Sequence, residues 1–204
     1  MPPRNVVFDL GGVLIDWDPR HLYRKLFPGD APGMERFLAE VCTGEWNLAQ
    51  DAGRSWAEAT ALLKAQHPEK AALIDAYHLR WPEMIAGPIE GTVAVLAELH
   101  AQGTPLYGLT NWSAETYPVA LERFDFMAWF RGVVVSGTER IVKPDPRIYR
   151  LLLERFGLAA AETVFIDDKP RNAAAASALG MHGVHFTTPE ALRLELVGLG
   201  VLAG

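Results

Sequence analysis

Four short stretches carry the side chains best suited to chemistry: Asp9-Leu10-Gly11-Gly12, Thr110-Asn111-Trp112, Lys143-Pro144 and Asp167-Asp168. Together they offer three carboxylates, a hydroxyl, an amide and an ammonium. Carboxylates brought close repel one another unless a cation joins them. Magnesium suits such oxygen ligands and keeps waters and substrate phosphate in its shell. A hydroxyl, backbone amides and a lysine are what the oxygens of a phosphoryl group need. A carboxylate left over can attack phosphorus. Gly11 and Gly12 let the backbone turn sharply and approach whatever Asp9 faces. Taken alone, Asp-x-Gly-Gly is equally an ordinary turn closing a strand.

The elements that must position these residues are legible as pattern. Asn5–Phe8, Pro105–Leu109 and Thr163–Ile166 are apolar runs of strand length, and each leads directly into one of the polar stretches. Gly132–Val135 is another such run, with Lys143 on the loop beyond it. Helical text separates them: 92–102, 114–124 (with a proline at 118), 147–156, 170–179 and 189–199, with a last strand at 183–186. Five alternations of strand and helix predict a Rossmann-like parallel sheet, helices on both faces, with all strand ends on one edge. Residues far apart in sequence then converge. Residues 33–81 show no strand-like alternation. Asp18 before Pro19 and Ser55 three residues before Glu58 are helix-start signals. The expected division is an α/β core from 1–15 and 87–204, with an all-helical insertion of about four helices over 16–86.

Composition excludes several classes. The net charge of −6 and the lack of any basic run argue against nucleic-acid and anionic-membrane partners. The single cysteine, Cys42, rules out an intrachain disulfide and fits a reducing, cytoplasmic compartment. Cys42 itself reads as a small buried helix residue. The N-terminal apolar run, broken by Asp9, is neither a signal peptide nor a membrane span.

The chain resembles the haloacid dehalogenase superfamily of hydrolases. The resemblance is carried by FDLGGVL (8–14), LTN (109–111), Lys143 in KPDP and FIDD (165–168), in that order over nearly the whole chain. The helical stretch after the first motif is similar to the family's cap. The resemblance implies Asp9 as nucleophile and metal ligand, the Gly11 carbonyl and Asp168 as further Mg²⁺ ligands, and Asp167 beside them. It implies Thr110 and Asn111 on the phosphate oxygens and Lys143 balancing their charge. The implied substrate is a small phosphorylated metabolite.

One position departs from the family. Its phosphatases usually carry a second Asp, a proton donor, where this chain has Gly11. Some sugar-1-phosphate phosphatases of the superfamily share this DLG form. Asp16, Asp18 and His21 are candidates for the missing proton donor, against helix capping and solvated surface. A metal-free 2-haloacid dehalogenase is the second reading, disfavoured by Asp167-Asp168; a weakened relative that binds a phosphorylated ligand without turnover is a third. Trp17, Trp46, Asn47, Asp51 and Arg54 are expected between cap and core, with Trp112 at the substrate beside Asn111. Asn172, one helical turn after Asp168, is expected to orient it. His182 and His185 read as structural.

Overall fold

The computed structural model describes residues 2–203. From its first strand, β1 (Asn5–Phe8), the chain passes through the Asp9–Leu14 turn into a short ribbon, β2 (Ile15–Trp17) paired antiparallel with β3 (Ile85–Pro88). Between the two ribbon strands lie α1 (Pro19–Leu26), α2 (Ala31–Glu40), α3 (Gly44–Asp51), α4 (Trp56–Gln66) and α5 (Ala71–Leu79). Four of these start where a side chain satisfies an orphan N–H, Asp30 accepting from Gly33 at α2. Asp18 accepts from Arg20, Thr43 from Trp46 and Ser55 from Glu58.

The remainder alternates as expected: α6 (Glu90–Ala101), β4 (Leu106–Thr110), α7 (Pro118–Arg123), β5 (Gly132–Val135), α8 (Ser136–Glu139), α9 (Pro146–Phe156), β6 (Thr163–Asp167), α10 (Pro170–Ala178), β7 (His182–His185) and α11 (Pro189–Gly198). The five-stranded sheet is wholly parallel, in the order β5-β4-β1-β6-β7. This is an α/β Rossmann-like fold. Successive side chains of a strand point to opposite faces, which sorts the core. Val6, Phe8, Val164 and Ile166 pack with Leu96 and Leu99 of α6 and with Leu192 and Leu196 of α11. Val7, Leu109, Val134 and Phe165 pack with Ile148, Tyr149 and Leu152 of α9. Each fully buried aliphatic side chain contributes ~1.5–3 kcal/mol, so strands covered on both faces are heavily favoured. The first cluster runs on into the helical segment through Leu22, Tyr23, Phe37, Trp56 and Tyr77.

Three features differ from the sequence-based expectation. The β2–β3 ribbon lies where the sequence predicts only the start of the helical insertion and the return to the core; Asp16, Gly87 and Pro88 are poor strand formers, and a bulge falls between Asp16 and Trp17. The helix expected from 114 begins only at Pro118, whose ring suits a first turn and not an interior. Ser136–Glu139 forms an additional single turn of helix. No helix among the described residues is long and apolar enough to cross a membrane.

Candidate active site

The parallel sheet places Asp9, Thr110 and Asp167 at neighbouring strand ends, with β1 in the middle. Register shows why: Phe8 pairs with Gly108 on one side and Ile166 on the other. The order also reverses direction about β1, the place where open α/β sheets hold their ligands.

Lys143 organises the cluster. Its side chain is fully buried; its ammonium donates to Asp167 Oδ2 at 2.7 Å and the Leu109 carbonyl at 2.8 Å, and forms an ion pair with Asp9 Oδ2 at 2.9 Å. Burial disfavours the ammonium, but Asp9 and Asp167 outweigh it and hold the pKa above the ordinary value. Asn111 fastens the Lys143 backbone at both ends: its Oδ1 accepts from the Lys143 N–H at 2.8 Å and its Nδ2 donates to the Lys143 carbonyl at 3.1 Å. The side-chain amide expected on phosphate is thus committed to the lysine loop. Asp167 is equally committed. Besides Lys143 it accepts from the Lys169 N–H at 2.8 Å and from Asn172 Nδ2 at 2.9 and 3.1 Å. Asn172 therefore orients Asp167, not Asp168 as expected from its spacing.

Asp9, Asp167 and Asp168 have carboxylate oxygens within 4.8 Å of one another. Burial pushes the Asp9 carboxyl up to about 7; Lys143 opposes this, and Asp167 and Asp168 add to it. Lys143 and Lys169, which pairs with Asp168 at 2.5 Å, bring two ammonium groups to three carboxylates, one charge short. The surplus and the all-oxygen donor set fit a divalent cation. A cavity of about 370 Å³ opens over Asp9, Gly11, Thr110, Asn111, Lys143 and Asp168. Asp9 and Asp168 therefore face the space that a metal would share with substrate. Asp167, expected beside them, offers an oxygen to the same cluster and also serves as counter-charge to Lys143.

Gly12, not Gly11, is the position that needs glycine. Gly12 has φ +75°, and a Cβ there would lie 2.9 Å from Asp168 Oδ2, whereas a Cβ at Gly11 would meet nothing within 4 Å. Gly12→Ala is expected to cost ~1–2 kcal/mol from the left-handed backbone alone and to displace Asp168. Thermal melting and magnesium titration calorimetry both report it; Gly11→Ala, melted alongside, is expected to keep the wild-type transition.

A narrower recess of about 50 Å³ continues inward between Gly11, Trp17, Asn47, Asp51, Trp81, Asn111 and Trp112. Trp81 packs against Trp17 at 6.4 Å and Trp112 at 5.3 Å between ring centroids. Of the residues expected between the helical segment and the sheet, Trp17, Asn47 and Asp51 are there. Trp46 packs on Trp56 and Tyr77, and Arg54 donates to Gln50 and the Trp46 carbonyl on a different face. Asp18 caps α1, and Asp16, half exposed, pairs with His21 at 3.0 Å. His182 and His185 meet the carbonyls of Ala161 and Asp168. Cys42 is buried, which pushes its thiol up to about 12. Ser136 was not singled out by its sequence. Its hydroxyl donates to the Asp51 carbonyl at 2.6 Å and accepts from the Trp112 N–H at 3.0 Å, joining the end of α3 to the end of β4. A lone serine after a strand carries no signal of this.

Residues 3–180 match the family model for haloacid dehalogenase-like hydrolases. The chain belongs to that family. This hydrolase is 38% identical over 191 residues to the sesquiterpene phosphatase AstK of Aspergillus oryzae, covering 93% of each chain. It is 29% identical over 188 residues to the phosphoglycolate phosphatase of Photobacterium profundum, covering 89% of this chain and 82% of that one. A HAD family enzyme from Bacteroides thetaiotaomicron, crystallised with magnesium and inorganic phosphate, shares the fold with a TM-score of 0.65 and 24% identity. That alignment covers 88% of this hydrolase and 91% of the other chain.

Proposed function

We propose that this hydrolase is a phosphatase, cleaving a small phosphorylated metabolite through an aspartyl-phosphate on Asp9. The observation that carries the reading is Lys143, buried and bonded to both Asp9 and Asp167 beside an open cavity. The ammonium holds Asp9 in place where it lines that cavity, with one carboxylate oxygen accepting from the Leu10 N–H at 2.8 Å. Asp9 attacks phosphorus, the bond to the leaving oxygen breaks, and water later cleaves the acyl phosphate. The Thr110 hydroxyl and Lys143 meet the phosphoryl oxygens as charge develops. Asp9, the Gly11 carbonyl and Asp168 would hold Mg²⁺, which supplies Lewis-acid stabilisation of the phosphoryl oxygens.

The helical segment, residues 16–86, acts in this reading as a cap over the core. Its Trp17 and Trp81, with Trp112 from the core, form walls for the alcohol part of the substrate. Aromatic faces suit the C–H face of a sugar ring or an apolar chain. Relatives named as sesquiterpene and phosphoglycolate phosphatases support phosphate-ester cleavage while differing in substrate. A reducing, cytoplasmic setting goes with the free, buried Cys42.

The test is a panel of phosphate monoesters, including sugar 1-phosphates and prenyl phosphates, assayed with Mg²⁺ and with EDTA. Phosphate release is expected with Mg²⁺ and lost in EDTA. If EDTA leaves turnover intact and 2-haloacids are consumed, the dehalogenase reading replaces this one.

A further inference from the structure

A phosphatase of this kind needs a group to protonate the leaving oxygen, and Gly11 has no side chain to do it. The recess above Gly11 is lined from the helical segment by Asp51. We propose that Asp51 is the proton donor to the leaving oxygen and then the base for the attacking water. The proposal rests on the phosphatase reading above.

Position comes first. Asp51 is the last residue of α3, and it lines both the inner recess and the larger cavity that contains Asp9, Thr110 and Lys143. Its backbone is pinned to the core by the Ser136 hydroxyl. The turn that follows also sits tightly: a Cβ on Gly53 would lie 2.8 Å from Arg140 Cγ and 3.1 Å from the Gly137 carbonyl. The carboxyl is therefore held over the strand ends by the core itself. The space at Gly11 is open, with nothing within 4 Å of where a Cβ would be. A carboxyl reaching in from above takes the place of one growing from below.

The local chemistry supports both protonation states. Asn47 Nδ2 donates to Asp51 Oδ2 at 3.1 Å, the bond a carboxylate wants. Asn47 Oδ1 is buried without a partner. Turned half round, that amide accepts from a protonated Asp51 instead. Burial pushes the Asp51 carboxyl up to about 7, against a backbone hydrogen bond from Ser113 and the charge of Lys143. The group thus sits near the value that serves an acid and a base alike. None of its partners is among the residues assigned to the metal. The groups facing it are Lys143 from the loop after α8 and the Tyr77 phenol from α5, which burial keeps un-ionised; Asp9, Asp168, Lys169 and Arg171 line the same cavity. On the other elements packed here, Arg54 is bonded to Gln50, Glu115 to the Trp56 N–H and Glu139 to Arg155.

The step balances. As an Asp9 oxygen bonds to phosphorus, the bond from phosphorus to the leaving oxygen breaks. That oxygen keeps the electron pair and takes the proton of Asp51, leaving as the alcohol. The Asp51 carboxylate next removes a proton from water as the water oxygen attacks phosphorus. The Asp9–phosphorus bond breaks, inorganic phosphate departs, and Asp51 is again protonated.

The experiment compares 2,4-dinitrophenyl phosphate, whose leaving group needs no proton, with an alkyl phosphate, in wild type, Asp51→Asn and Asp51→Asn/Gly11→Asp. For Asp51→Asn, kcat/KM is expected to fall ~10²–10⁴-fold on the alkyl ester and to stay within a few-fold on the aryl ester. The aryl ester should also show a burst of dinitrophenolate followed by a slow steady state, because water activation is impaired. Gly11→Asp in the same chain is expected to restore alkyl turnover. In wild type, the ratio of alkyl to aryl kcat/KM should fall as pH rises through about 7, a readout that does not depend on the variant folding. Parallel losses on both esters, or a pH-independent ratio, overturn the role of Asp51 while leaving the phosphatase reading intact. A wild type that cleaves neither ester overturns both.

Discussion

Asp9→Asn is expected to abolish turnover, with a loss of roughly 10⁴-fold or more, since a missing nucleophile is not replaced by its neighbours. The amide is nearly isosteric with the carboxylate and still accepts from the Leu10 N–H, now 2.8 Å from Asp9 Oδ1. It cannot form the acyl phosphate. Lys143 keeps Asp167 as its counter-charge at 2.7 Å, so the cluster does not lose its only partner. Stability is expected to move the other way from activity. In metal-free protein the Asp9 carboxyl lies at about 7, against an ordinary 3.8. The folded state therefore holds this proton more tightly than the unfolded chain does. That contribution is full below about 4 and is lost as pH rises through about 7. In EDTA at pH above 7, Asp9→Asn should melt at or above the wild-type temperature, and the gap should close on acidification. Steady-state assays beside melting curves across that range check both halves. Retention of more than a few per cent of the rate would rule out Asp9 as nucleophile.

Lys143→Met is expected to have the largest effect on stability. The side chain it replaces is fully buried, and methionine fills similar space without charge. Asp9 and Asp167 would then face each other with no cation between them. Breaking a buried pair by removing one partner costs ~3–5 kcal/mol, because the remaining charge is left uncompensated. Here Asp9, already up to about 7 with Lys143 in place, rises further and takes a proton, which leaves Asp167 as the uncompensated charge. Urea unfolding at pH 8 should show a lowered midpoint with an unchanged slope, and activity should vanish with the loss of Asp9 positioning. Adding Asp167→Asn should recover much of the stability and none of the activity. A loss below ~1 kcal/mol, the range of exposed pairs, would mean that water, not Lys143, neutralises these carboxylates.

Much of this is legible in the sequence alone. Val6–Phe8, Leu106–Leu109 and Thr163–Ile166 are too apolar for anything but strands buried on both faces, and the helices between them force the strands parallel. Once the strands are parallel, Asp9, Thr110 and Asp167 must share an edge. Ser55 and Asp18 announce their helices by a local hydrogen bond, so they too are written in the chain. What the tertiary structure decided depends on contacts between distant segments. The β2–β3 ribbon exists because the entry and exit of the helical segment meet, not because Asp16 or Gly87 favours a strand. Asn111 and Asp167 carry residue types that suit phosphate and metal, yet both are turned to Lys143. A hydrogen-bond donor or acceptor goes to whichever partner is near, and nearness across 32 or 24 residues is not a local property. Gly11 and Gly12 are identical as letters; only the backbone angle and the closeness of Asp168 separate the replaceable one from the required one. Asp51 was one of several polar residues on a helix. Its place over Gly11 depends on Ser136 and on the tight seat of Gly53, and its elevated pKa on burial beneath surrounding side chains. Periodicity encodes which face of an element is apolar, but which polar group ends above the strand edge is settled only when the helical segment docks.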